Sequence, residues 1–467
     1  MESEPSEQLL DSVLDAAENA SPLHAVEAVT ATLARRLRAS AVFFLISDLA
    51  GCALVRMSHG ASDEALVRQR LDDSEGPTRV DEGEQSVRVP MDHGPVEMAM
   101  RTQTVQVLPA AVVGADDTSS GWVVVAPVTE RGEALGILQV GLPDAPDAKA
   151  LVEIARIGHL LAFVVIANRR HTDLFERAER SALFSLPAEI QRRLLPPAFT
   201  CEAGAFTLAA WLEPSASVGG DTFDYSLGRD TLHLSLTDSM GHGVASALTA
   251  TLCVGSLRNT RRMGGSLTDQ ATAANLALCE HTAASGAENF ATGLLGRLDL
   301  TTGSLALINA GHVPPYLWRD GSATAVELVA DIPLGMFAET LYRSTDLALR
   351  PGDRLVLVTD GMVERNAASF DLRAEIAHTR TLHPREASRR LTAMVLEHCQ
   401  QVLADDATVM VLDWHGGHGQ SRRTVAGADQ WRARPARSAA RLAPDRAHPG
   451  ELRPTRDGPF TPPPGPG

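Results

Sequence analysis

Aspartates recur at what read as strand ends in the second half of this 467-residue chain. The stretch 218–243, VGGDTFDYSLGRDTLHLSLTDSMGHG, carries Asp221 and Asp224 before an alternating segment and Asp238 after it. Thr231, His233, Ser235 and Thr237 fall on one face of that segment; Leu232, Leu234 and Leu236 fall on the other. This period-two pattern predicts a half-buried strand, with Gly241 and Gly243 providing a sharp turn after Asp238. Asp360 closes the apolar run RLVLVTDG, and Asp405 and Asp406 precede the apolar run ATVMVLDW. If these strand ends meet, they form a carboxylate cage without His or Cys, a donor set that prefers Mg²⁺ or Mn²⁺ over Zn²⁺. Two such ions can activate a bridging water and neutralise phosphoryl oxygens. Each aspartate alone is more often a turn or cap residue; the repetition of Asp, strand and Gly raises the metal reading.

The elements that must position these groups follow from pattern. From Phe206, TLAAWLEP reads as a strand, and Val244 to Arg262 as the helix after the Asp238 turn. A second helix runs from Ser266 to about Ser285. FATGLLGRLDL and GSLALINAGH pair through a hairpin at Thr301, Thr302 and Gly303. A helix over Pro384 to Leu403 precedes the last strand. In the first half, helices over roughly Gln8 to Arg38 lead into the strands AVFFLISD, CALVRMSHG, TVQVLPA, GWVVVAPV and GILQVGL, and an apolar helix begins at Asp147. That helix is expected to continue through HTDLFERAERSALFSL, with Leu160, Val164, Ala167, His171, Leu174 and Ala178 as a heptad-like seam. The alternative is one amphipathic helix packed on its own domain. Pro187 opens a fresh short helix that Pro196 and Pro197 end. His59, His93 and His159 read as ordinary surface or core histidines.

Composition narrows the function. A net charge of -16 argues against a nucleic-acid binder, and Lys149 is the only lysine. Five scattered cysteines without a CxxC pair suit a reducing cytosol. The acidic N-terminus lacks a secretory h-region, and the most apolar run, Ile157 to Ala167, is short of a membrane span. A soluble, cytoplasmic protein is expected. The acidic stretch 72–84 reads as a surface loop, and the Gly-, Arg- and Pro-rich residues after His415 as a disordered tail.

VGGDTFD, TDSMGHG, INAGHVPP, PLG (Pro333 to Gly335), PGDRLVLVTDGMVE and DDATVMVL stand in the order of the motifs of PPM-type serine/threonine phosphatases. The chain resembles the bacterial SpoIIE/RsbU-like subgroup over roughly Gln191 to Trp414. The first half, with its AVFFLISD strand, VAPV-to-GILQV hairpin and long terminal helix, resembles the GAF family of sensory domains. The implied fold is α+β: a GAF-like sensory domain (1–168), a helical signalling linker (169–197), a PPM-type αββα sandwich of two antiparallel sheets flanked by helices (198–415), and a disordered tail (416–467).

The resemblance implies two divalent ions, Mn²⁺ or Mg²⁺. Asp238 would bridge them, the Ser239 carbonyl would complete one shell, and Asp221, Asp360 and Asp405 would bind metal. Asp238 and Asp360 would be the catalytic pair. Asp224 would act directly or through water, and Asp406 from behind the ligands. His242 is a candidate general acid, although many relatives place a lysine there. Asn309 and His312 would brace the site, and Gly220, Gly241, Gly243 and Gly361 would shape its turns. The implied activity is metal-dependent hydrolysis of phosphoserine or phosphothreonine on an anti-sigma-factor antagonist of STAS type. An unidentified small-molecule or protein signal at the GAF-like domain would govern it, in a homodimer without nucleic acid or membrane span. The alternative is a non-catalytic phosphoprotein-binding scaffold.

Overall fold

Alternating burial builds the first sheet. In the computed structural model, which describes residues 5–48, 53–57, 88–90, 94–110, 121–179, 185–215, 219–286, 288–363, 371–399, 403 and 405–417, β1 (Ala41–Ser47) and β6 (Glu133–Leu142) pair antiparallel at the sheet centre. Phe44, Ile46, Leu138 and Val140 point to one face, where α1 (Pro5–Asn19), α2 (Ala25–Leu37) and α4 (Ala148–Asn168) cover them. Leu45 and Ile137 point to the other face and meet Ala99 and Met100 of α3 (Pro95–Thr102). With β2 (Ala53–Arg56), β3 (Arg88–Pro90), β4 (Gln106–Pro109) and β5 (Trp122–Glu130) the sheet runs β3-β2-β1-β6-β5-β4, antiparallel throughout. His59, His93, the acidic stretch 72–84 and residues 418–467 lie outside the described residues.

The closing helix differs from the expectation. Asp147 caps α4, its Oδ1 accepting from the Ala150 N–H at 2.7 Å, but the helix ends at Asn168, and a separate short α5 (Leu174–Glu179) follows. The heptad-like seam is therefore not on one helix. Val164 is buried in the module's own core, against which Leu160 also packs, whereas the exposed apolar residues of α4 are Val152, Phe163 and Ile166. By length and composition α4 is a candidate membrane span, more apolar overall than its central run indicated. Ile154, Ile157, Leu161 and Val165 are nonetheless fully buried against the sheet, as in a core helix. α6 (Leu186–Leu194) begins as expected, with Ser185 as N-cap and Pro187 in its first turn.

The C-terminal module is a four-layer α+β sandwich. One sheet orders β15-β12-β11-β10-β9, with β16 (Ser344–Ala348) also paired to β12 (Ser304–Ala310). It contains β9 (Thr222–Leu227), β10 (Thr231–Ser239), β11 (Ala291–Asp299) and the short β15 (Ala330–Asp331). The other orders β14-β13-β17-β18-β8-β7, from β7 (Thr200–Glu202), β8 (Phe206–Glu213), β13 (Tyr316–Arg319), β14 (Ser322–Ala325), β17 (Arg354–Val358) and β18 (Ala407–Trp414). Leu232, Leu234 and Leu236 of β10 meet Leu355, Leu357, Met410 and Leu412 across the gap between the sheets. Each such buried leucine contributes about 1.5–3 kcal/mol. α7 (Gly243–Arg262) and α8 (Leu267–Ser285) cover the outer face of the first sheet; α9 (Leu372–His378) and α10 (Pro384–His398) cover that of the second. Both modules belong to one compact unit, Met1–Pro435.

Candidate functional site

The leucine row on β10 leads to the site. Leu232, Leu234 and Leu236 face the second sheet, and the next residue on that face is Asp238, half-buried at the mouth of the sandwich. Asp221 enters β9 from the same end, two residues before the buried, core-facing Phe223. It is only 2 % exposed, and its Oδ2 accepts two hydroxyls from the opposite sheet, Thr359 Oγ1 at 2.7 Å and Thr408 Oγ1 at 2.6 Å. Those threonines also knit β17 to β18, because the Thr408 N–H donates to Thr359 Oγ1 at 3.0 Å. Burial, then the nearby Asp238 and Asp406 carboxylates, push the Asp221 carboxyl well above its ordinary value, against the pull of the two hydroxyls.

Asp406 sits at the start of β18, 1 % exposed. Its Oδ1 accepts from the Ser215 and Gly219 N–H groups at 2.9 and 3.2 Å, and its Oδ2 from Gln191 Nε2 at 2.6 Å. Asp405 Oδ1 accepts from the Asp406 N–H at 2.8 Å. A Cβ on Gly219 would come within 2.8 Å of Asp405 Oδ1 and of Asp406 Oδ2, so a side chain there would push both carboxylates out of place. Asp360 opens a 3-10 turn (Asp360–Met362) directly after Thr359, and Gly361 packs against the Asp406 backbone. The Ser239 carbonyl accepts from Ser246 Oγ at 3.2 Å, and the buried Ser239 Oγ has no hydrogen-bond partner. Gly241 and Gly243 take φ of 89° and 76°, the left-handed turn predicted after Asp238.

The remaining candidates divide. Asn309 closes the NAGH loop, its Oδ1 accepting from the His312 N–H at 2.7 Å and its Nδ2 donating to the His312 carbonyl at 3.0 Å. His312 Nδ1 bonds Thr292 Oγ1 at 2.6 Å, and Thr292 is the cross-strand partner of Asp238. Burial lowers this imidazole to about 4, with the Val358 backbone acting the other way. His242 is exposed at the N-cap of α7 and makes no side-chain capping bond. Asp224 is not brought to the cluster. It pairs in register with Ser235, three residues before Asp238, on the strand face that looks at α7. There its two oxygens accept from Arg258 and Arg261 at 2.9–3.2 Å.

The contrast between these two buried aspartates defines the chemistry. Asp224 is neutralised by two guanidinium groups, whereas the charges acting most strongly on Asp221 are two further carboxylates. A buried carboxylate among like charges calls for a cation. The oxygen-only donors Asp221, Asp238, Asp360, Asp405 and the Ser239 carbonyl suit a hard divalent ion. Among the described residues no three acidic, histidine or cysteine side chains already close around one point. The residues therefore fit such an ion by chemistry and charge rather than by a preformed cage.

Sequence reasoning missed Thr359, Thr408 and Gln191. The threonines are polar residues on inward positions at the ends of otherwise apolar strands, a signal that marks them as inward polar groups without naming their partner. Gln191, on α6, also donates to the Asp221 carbonyl at 2.9 Å and is 4 % exposed.

Comparison with known proteins covers Asp238, Asp360, Asp405 and Asp406 of this site, while Asp221 precedes the segment matched by the family model. Residues 228–415 match the family model described as Stage II sporulation protein E (SpoIIE). Phosphoserine phosphatase RsbP of Bacillus subtilis (strain 168) is 28% identical over 166 residues, which is 34% of this chain and 40% of RsbP. Phosphoserine phosphatase RsbU of the same organism is 23% identical over 233 residues, 49% of this chain and 68% of RsbU. Among solved structures, the RsbU and RsbW domains of Rv1364c from Mycobacterium tuberculosis align with 27% identity and a TM-score of 0.40. That alignment covers 50% of this chain and 65% of the other.

Proposed function

We propose that this chain is a metal-dependent phosphatase that hydrolyses phosphoserine or phosphothreonine on a regulatory protein. The observation that carries the reading is Asp221: buried, held by two hydroxyls from the facing sheet, and crowded by carboxylates. The match of residues 228–415 to the SpoIIE family model supports it. Asp221, Asp238, Asp360, Asp405 and the Ser239 carbonyl would hold one or two Mn²⁺ or Mg²⁺ ions. Bound there, such ions lower the pKa of water and screen the phosphoryl oxygens. The chain's own residues do the positioning. Thr359 and Thr408 orient Asp221, Asp406 holds the Ser215 and Gly219 backbone amides, and the Asn309–His312 loop supports the strand opposite Asp238.

As the resemblance to the SpoIIE/RsbU-like subgroup implies, the substrate would be a phosphorylated anti-sigma-factor antagonist of STAS type. The N-terminal module would be the GAF-like sensor. Its signal would pass through residues 169–197 to α6, whose Gln191 touches both Asp221 and Asp406, and to α7, which leaves the Asp238 turn. The test is Mn²⁺-dependent hydrolysis of p-nitrophenyl phosphate and of a phosphoserine peptide by the purified full chain. Wild type is expected to exceed Asp238→Ala by at least about 100-fold, the scale on which loss of transition-state charge stabilisation is felt. Equal rates for the two proteins in Mn²⁺ sink the enzyme reading.

A further inference from the structure

The two modules meet away from the carboxylate cluster through a knot of buried polar groups. Its tip is the two-residue turn between β5 and β6, where Arg131 and Gly132 both take positive φ, 42° and 83°. The Arg131 carbonyl accepts from the Glu202 N–H at 2.9 Å. The Gly132 carbonyl accepts from Arg385 Nη1 at 2.6 Å and from Gln103 Nε2 at 2.5 Å. Arg385 Nη2 also donates to the Arg101 carbonyl at 2.8 Å, and Arg101 pairs with Glu386 at 3.3 Å. Behind the turn, His383 Nδ1 accepts from the Arg385 N–H at 3.2 Å, leaving Nε2 to donate to Glu202 Oε1 at 3.2 Å. Gln103, Glu202, His383 and Arg385 are all buried.

We propose that this knot is a releasable latch, by which the Arg131–Gly132 turn of the N-terminal module docks on the first turn of α10, independently of the covalent linker. Three observations carry the inference. First, among the described residues each hydrophobic cluster lies wholly in one module, so polar bonds rather than a shared core hold this contact. Second, Gln103 Oε1 and Glu386 Oε1 are buried there without hydrogen-bond partners. Both carry a desolvation penalty that water removes when the latch opens. Third, a Cβ on Gly132 would fall 2.7 Å from Glu202 Oε1, so the fit depends on one glycine. The latch bears on the layer that leads to the site, since Leu391 and Val395 of α10 pack on Val409 and Val411 of β18, the strand that follows Asp405 and Asp406. Opening therefore frees one end of α10 while β18 stays in its sheet.

The Glu202 amide is a built-in reporter, because its partner is the Arg131 carbonyl of the other module. Hydrogen exchange of full-length protein, followed by mass spectrometry, compares wild type with Gly132→Ala, Arg385→Ala and Arg390→Ala. Arg390 is a surface residue of the same helix, 4.0 Å from Glu397. Gly132→Ala and Arg385→Ala, which break the latch from opposite sides, are expected to speed exchange around residue 202 about tenfold, or about 1.4 kcal/mol. Exchange within β8 stays as in wild type, as does Arg390→Ala throughout. Unchanged exchange at residue 202 in Gly132→Ala overturns the latch. So does acceleration spread equally over β8 and β18, which marks general destabilisation. None of these readouts depends on phosphatase activity, so the latch and the enzyme reading fail separately.

Discussion

Asp221→Asn tests the charge logic of the site without any substrate. The asparagine carbonyl can keep the bonds from Thr359 and Thr408, 2.7 and 2.6 Å away in the native protein. What it removes is a negative charge buried beside Asp238 and Asp406. Charge-assisted bonds to the threonines weaken, which costs part of the about 1.5–3 kcal/mol such bonds contribute. Desolvation and repulsion of an uncompensated buried ion are worth several kcal/mol. The balance favours the variant by about 1–2 kcal/mol in chelator, or about 2–8 °C in Tm for a module of this size. With Mn²⁺ at about 100 times its Kd, wild type gains about 2.7 kcal/mol, whereas the variant lacks one ligand and gains less than about a quarter of that. The order of stability should therefore invert: Asp221→Asn melts above wild type in EDTA and below it in Mn²⁺. Differential scanning calorimetry in both buffers reads this directly. If Asp221→Asn melts below wild type in chelator, or if both proteins gain equally from Mn²⁺, Asp221 is a structural carboxylate and the cation argument fails.

Other outcomes follow from single contacts. Gln191→Ala removes donors to Asp406 Oδ2 and to the Asp221 carbonyl. Leaving a buried carboxylate oxygen short of a partner should cost about 2–3 kcal/mol in urea unfolding and lower p-nitrophenyl phosphate turnover. Gly220→Ala would put a Cβ 2.3 Å from the Ser239 carbonyl oxygen and from Ser246 Oγ. The turn must shift, so apparent Mn²⁺ affinity should fall at least about tenfold while circular dichroism is retained; unchanged Mn²⁺ titration would count against the Ser239 carbonyl as a ligand. Burial foremost, and then Arg385, lowers His383 to about 4 from 6.5, against the opposing pull of Glu202. Between those values the unfolded chain binds the extra proton, so stability is lost as pH falls from 6.5 to 4, by at most about 3 kcal/mol. His383→Gln should flatten that slope in denaturant melts, with His312, lowered to the same range, supplying the remainder; an unaltered slope refutes the assignment.

The aspartates were legible because each marks a strand end and stands next to other turn-forming residues, a local signal. Their partners were not. Thr359 and Thr408 reach Asp221 across 138 and 187 residues of sequence, and Gln191 reaches Asp406 across 215. No local rule pairs residues so far apart. Asp224 misled for the opposite reason. It lies three residues from Asp221, but strand alternation turns it toward α7, where Arg258 and Arg261 claim it. The break between α4 and α5 escaped notice because residues 169–173 contain neither Pro nor Gly, and the apolar spacing continues across them. α3, only eight residues long, offered too short a periodic run to be read.

The position of β18 has a consequence for how the protein is made. The strand comes last in the second sandwich sheet yet lies inside it, hydrogen-bonded to β17 on one side and β8 on the other. During synthesis β7 and β8 emerge about 200 residues before the strand that joins them to β17, so the sheet stays split until residue 414 is out. The N-terminal module, whose strands all precede residue 143, has no such wait and can fold first. Asp405 and Asp406 arrive with β18 itself. The carboxylate cluster is thus assembled only once β18 has emerged, and a nascent or truncated product that stops before β18 carries the N-terminal module without a completed site.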